Sequence, residues 1–117
     1  MLKEGVTLKK ESTKFADEVI ATISAGAVMR VPGVHRIHGA IISDLVRMVR
    51  KTPPTSGIKV TRRDGNLVDI DIHLVVDYLS SIPEIGKRVK EEVKSFIEKL
   101  TSVKVENIKI YIDDVHF

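Results

Sequence analysis

A chain of 117 residues, 43% of them hydrophobic, has the size of one ordinary domain and enough apolar side chains to build a core, so a single domain over residues 1–117 is expected. It has no cysteine, which excludes disulfides, thiolate metal sites and a cysteine nucleophile and suits a reducing cytosol; it shows neither the apolar start of a secretory signal nor the roughly 20-residue apolar run of a membrane span. The net charge of +3 is too small to indicate nucleic acid, but it is unevenly spread: residues 1–63 hold 12 Lys/Arg against 5 Asp/Glu, and residues 64–117 hold 7 against 11.

The halves are therefore electrostatically complementary. Two surfaces side by side in one fold satisfy such a pattern, and so does head-to-tail self-association or an anionic partner. Phe15, Val19, Ile20, Ile23 and Ala27 recur at helical spacing and predict a first helix from about residue 14 to residue 30, stopped by Val31-Pro32-Gly33. Ala21, Ser24, Ala25, Gly26 and Ala27 make it rich in small residues, so another backbone can approach it closely. From Val34 and Ile37 a short strand is expected, and from Ile41, Ile42, Leu45, Val46 and Val49 an amphipathic helical turn with Arg47, Arg50 and Lys51 on its polar side. Thr52-Pro53-Pro54-Thr55-Ser56-Gly57 reads as a loop.

Ile58 and Val60 alternate with Lys59 and Thr61 ahead of a turn at Asp64-Gly65. Val68, Ile70, Ile72, Leu74 and Val76 then share one strand face, with Asp69, Asp71, His73 and Asp77 on the other, so an antiparallel hairpin with one wet face follows. Ser81 and Glu84 have capping-box spacing, with Pro83 in the first turn. The stripe Ile82, Ile85, Val89, Val93, Phe96, Ile97, Leu100 predicts a second helix over residues 82–100, whose outer face carries mixed charges. Ile108, Ile110 and Ile112 alternate with Lys109, Tyr111 and Asp113 in a last strand. The fold class is α+β: a two-layer sandwich with a mainly antiparallel sheet of three or four strands and two principal helices on one face.

Catalytic patterns are missing. There is no G-x-S-x-G nucleophile elbow and no G-x-x-x-x-G-K phosphate loop, and Asp113 and Asp114, adjacent on a strand, are expected to point to opposite faces. Asp69, Asp71 and His73 share a strand face, but consecutive positions on a strand diverge and polar-out alternation explains them without an ion. His35 and His38, beside Gly33 and Gly39, read as surface loop histidines, and His116 has no partner in the sequence. No catalytic residue, cofactor or metal is expected. The candidate interaction surface is the basic group Arg47, Arg50, Lys51, Lys59, Arg62 and Arg63, which is also the footprint for the alternative reading, a small RNA- or DNA-binding module. Against that alternative stand an aromatic content of 4% and the lack of a G-x-x-G loop of the KH type.

Phe15-Ala16-Asp17-Glu18-Val19-Ile20, Val31-Pro32-Gly33-Val34, Gly57-Ile58-Lys59-Val60, Asp64-Gly65-Asn66, the strand into Tyr78, Ile82-Pro83-Glu84, the Val89 to Leu100 helix and the Val105, Ile108, Ile110, Ile112 ending together resemble the alkaline shock protein family over about residues 15–115. The chain departs from that pattern at Ala16, where the family usually has a capping serine, at Arg30, commonly acidic, at Leu79 and Ser102, often glycine, and at Lys90, often glutamine, as a divergent member does. The resemblance implies a bacterial, cytoplasmic, non-enzymatic protein linked to alkaline or cell-envelope stress. It also implies protein partners: self-association into a homo-oligomer, or docking to a membrane-anchored partner, through which the chain reaches the membrane peripherally. It carries over no catalytic residue.

Overall fold

The computed structural model describes residues 17–39 and 55–117. Residues 17–28 are helical (α1) and are followed by β1 (Val34–Ile37), β2 (Ile58–Arg62), β3 (Leu67–Asp77), α2 (Ile82–Leu100) and β4 (Lys104–His116). Phe15 and the basic turn expected around residues 41–51 lie outside the described residues.

The sheet is built on β3. Its alternate residues Val68, Ile70, Ile72, Leu74 and Val76 are essentially fully buried and join Ile20, Ala27 and Val28 of α1 and Ile85, Val89, Val93 and Ile97 of α2 in one core. Burying each aliphatic side chain contributes on the order of 2 kcal/mol, so both helices are held to this face by hydrophobic contact. The opposite face of the sheet carries the polar alternates. The two-layer α+β arrangement is the one the alternation predicts.

β2 runs antiparallel to β3, from Ile58 opposite Ile72 to Arg62 opposite Val68. β1 is also antiparallel to β3, but further along, with Val34 opposite Val76 and Ile37 opposite Leu74. The two short strands thus lie end to end on one edge of β3. Their junction is His73, whose N–H donates to the Gly57 carbonyl (2.9 Å) and whose carbonyl accepts from the His38 N–H (2.8 Å). A Cβ on Gly57 would overlap the His38 carbonyl oxygen and stand 2.7 Å from Ile37 Cγ2, so only glycine lets the two strands abut.

β4 takes the other edge along its full length and runs parallel to β3, from Lys104 opposite Leu67 to His116 opposite Asp77. Parallel neighbours need a crossover, and α2 supplies it. Register slips at Glu106 and Asp113 place one extra residue in β4 at each point.

The first helix ends at residue 28, earlier than the expected residue 30, because Met29 and Arg30 already turn toward Gly33, whose φ of +97° an L side chain rarely adopts. Ser24, fully buried, donates to the Ile20 carbonyl at 2.7 Å and is satisfied within its own helix. Arg30 lies over the Phe96 ring at 5.2 Å, a cation–π contact joining the end of α1 to α2. The expected capping box is not formed: Ser81 is the N-cap of α2, but its hydroxyl makes no capping hydrogen bond. The C-terminus is better held, since Thr101 donates both its N–H (2.9 Å) and its hydroxyl (2.7 Å) to the Ile97 carbonyl.

Candidate functional site

The polar face of the sheet gathers all 4 histidines of the chain. Two groups form. In the first, His38 and His73 each donate from Nδ1 to the same oxygen of Asp113, Oδ2, at 2.6 and 2.9 Å. His73 also stacks on Tyr111, its register partner on β4, with ring centroids 4.5 Å apart. The Asp113 carboxyl is held below the ordinary carboxylate range, first by the His38 hydrogen bond and further by His73, against an opposing contribution from desolvation.

The second group stands at the far end of β3. His35 is the residue at the register slip of β1, between Val34 and Arg36, and a bulge of this kind re-aims a side chain. Its Nδ1 lies 3.3 Å from Asp77 Oδ1, and its ring stacks on that of His116 with centroids 3.7 Å apart and planes within 6°. Ligand atoms of His35, Asp77 and His116 all lie within 4.8 Å of one another. His35 is a strand residue, not a loop histidine, and His116 finds through space the partners it lacks in sequence.

At the opposite end of the same face, Arg63 Nη1 and Asn107 Nδ2 donate to Asp69, at 3.0 and 3.1 Å. Partial desolvation pushes the Asp69 carboxyl up, but these hydrogen bonds and the Arg63 charge together outweigh it and leave the group below its usual value. Asp69 and His73 therefore serve different partners, and the strand does not converge them with Asp71 on one point.

Of the expected basic surface, Arg47, Arg50 and Lys51 lie outside the described residues. Arg62 and Arg63 are both engaged by carboxylates, Arg62 Nε donating to Asp17 at 3.0 Å and Arg63 to Asp69. Lys59 is exposed on β2, opposite Asp71 in register. The described cations are thus spread along β2 and its turn, two of the three bonded to acidic groups of the same chain.

The largely apolar counterpart is a groove of about 660 Å³ between α2 and β4, lined by Ile82, Pro83, Ile108, Ile110 and Ile112 together with Lys87, Lys90, Lys109 and Tyr111. Beside it runs the outer edge of β4, 13 residues long, which among the described residues pairs with no other strand. No helix of the described residues is long and apolar enough to cross a membrane.

Neither histidine group is visible in the sequence, because each depends on the register of three strands. The available signal is parity: His73 and Asp77 fall on the polar side of the β3 alternation, but nothing in the order of residues says that Asp113 and His116 lie beside them.

Comparison with known proteins agrees with this architecture. Residues 5–117 match the alkaline shock protein 23 family, described as having a cell envelope-related function. The Bacillus subtilis (strain 168) protein YqhY is 30% identical over 104 residues, covering 89% of this chain and 76% of that protein. YloU of the same organism is 28% identical over 102 residues, 86% of this chain and 84% of that one. Spy1614 of Streptococcus pyogenes serotype M6 is 24% identical over 112 residues, 94% and 92% of the two chains. Among solved structures, the nickel form of a MamM CTD variant superposes with a TM-score of 0.56 at 18% identity, over 83% of this chain and 96% of that one. A second MamM CTD variant gives 0.57 at 16%, over 86% and 95%. At these identities the likeness is one of fold.

Proposed function

The chain belongs to the alkaline shock protein 23 family, of cell envelope-related function, and on that footing we propose that it is a non-enzymatic interaction module that pairs with a second copy of itself through the outer edge of β4. In this reading it works in the cytosol and reaches the envelope by docking to a membrane-anchored partner.

The observation that carries the reading is the juxtaposition of an apolar groove and a strand edge that no other strand of the described residues pairs with. An edge strand presents a row of free N–H and C=O groups that template another strand, and a hydrophobic groove alongside supplies the burial that hydrogen bonds alone do not. A second copy is the natural occupant, since an antiparallel edge-to-edge contact is self-complementary about a two-fold axis. The slips at Glu106 and Asp113 bound the regular stretch to Asn107–Ile112, which limits pairing to one short register and blunts open-ended growth.

Light scattering on the full chain across protein concentration and salt tests this. A dimer is expected, and Ile110→Lys, which sets a charge into the groove, should weaken it at least about tenfold through the desolvation of the ammonium. A protein that stays monomeric at high micromolar concentration removes the reading.

A further inference from the structure

We propose that His35, Asp77 and His116 form a binding site for a divalent first-row metal ion such as Zn²⁺ or Ni²⁺. The site goes beyond the association reading and does not depend on it, since all three ligands come from one chain.

Three neighbouring strands each bring one donor to the same corner of the polar face. Asp77 and His116 are register partners on β3 and β4, and His35 reaches them from β1 because the bulge there turns its side chain. Two imidazoles and one carboxylate are a ligand set that suits zinc, nickel, copper or ferrous iron, and it is too rich in nitrogen for magnesium or calcium.

The distances support a shared ion. Metal–nitrogen and metal–oxygen bonds of about 2.0–2.1 Å at tetrahedral angles put two ligand atoms about 3.3 Å apart. His35 Nδ1 and Asp77 Oδ1 are already separated by 3.3 Å. The third ligand has to move: parallel rings aim their lone pairs side by side, so the stack of His35 on His116 must open for both nitrogens to converge. His116 is exposed and is the last residue of β4, so rotating its ring displaces nothing from the core. Neutral imidazoles stack without repulsion, and each then offers an in-plane lone pair. Three protein ligands leave coordination positions for water.

The other histidine group offers no equivalent. Nδ1 of His38 and of His73 both contact one oxygen, Asp113 Oδ2, at 2.6 and 2.9 Å, closer than the roughly 3.3 Å that two ligands of one ion keep.

The test uses the full chain without a polyhistidine tag, freed of metal with a chelator, and titrated calorimetrically with Zn²⁺, Ni²⁺ and Mg²⁺. One equivalent of Zn²⁺ or Ni²⁺ should bind, Mg²⁺ should not, and the melting temperature should rise with the logarithm of the Zn²⁺ concentration. His116→Ala and Asp77→Asn should each weaken binding at least about tenfold, while His38→Ala and His73→Ala leave it unchanged. His116→Ala is the decisive variant because its exposed position leaves folding intact. Absence of binding at millimolar Zn²⁺, or equal losses in the His38 and His116 variants, overturns the assignment.

Discussion

His38 and Asp113, 75 positions apart in the chain, are joined by a 2.6 Å hydrogen bond that ties the end of β1 to β4 across β3. Because the folded-state pKa of Asp113 lies below its unfolded value, its contribution to stability is complete above the ordinary carboxylate range. It is lost as pH falls through the lowered value. Asp113→Asn should therefore lower the melting temperature at pH 7, and the gap to the unmodified chain should narrow only once pH drops below the ordinary carboxylate value of about 4, closing as pH passes the lowered value of the native carboxyl. Calorimetric melts of the two proteins from pH 7 to pH 3 check this; a gap that persists undiminished at pH 3 would contradict it.

Gly57→Ala is expected to be costly even though it adds one methyl group. The new Cβ collides with backbone, the His38 carbonyl, and backbone at a strand junction cannot rotate away as a side chain tip can. A loss of about 2–3 kcal/mol, read from urea unfolding, is the expected outcome.

Leu79 is the one described non-glycine residue with positive φ, at +69°, and its side chain is 86% exposed. Glycine is frequent at this place in the family pattern, and the backbone explains why: the left-handed conformation costs a leucine about 1–2 kcal/mol and glycine none. Leu79→Gly forfeits no burial and should stabilise the fold by up to about 1 kcal/mol after the extra unfolded-state entropy of glycine. A rise in the melting temperature of a few degrees is the signature.

The guanidinium of Arg62 is partly buried against Asp17, and Arg62→Ala should cost about 0.5 kcal/mol, the worth of a well-formed surface pair. Arg63 is similarly occupied by Asp69. Removing both side chains is thus expected to leave the mobility of RNA or DNA in a native gel unchanged. A fall of about one unit of salt slope per arginine would return the nucleic-acid reading.

Much of this fold is legible in the residues. The strict alternation from Val68 to Val76 identifies the core face of β3, and the four-residue spacing of Ile85, Val89, Val93 and Ile97 identifies α2 with its observed limits of Ile82–Leu100. Both signals arise from burial, which acts on every residue of an element. What the sequence does not carry are the single-residue events. The bulges at His35, Glu106 and Asp113 break strand parity. Asp113 reaches His73 on the polar face, and Asp114 is the register partner of Val75, which has the same parity as His73, so the expectation that the two aspartates face opposite ways fails at the slip itself. The hydroxyl of Ser81 has capping-box spacing and makes no capping bond, because spacing fixes where a group stands and not where it points. The histidine groups belong to the same class, as they require knowing that β4 lies parallel to β3.

The backbone of His73 has a topological consequence. Chain leaves the sheet after His38 and re-enters at Gly57, and both points are pinned to the two polar atoms of one residue. The registers of β1 and β2 on β3 are therefore fixed from the two sides of a single peptide unit pair, so one residue of β3 aligns both short strands.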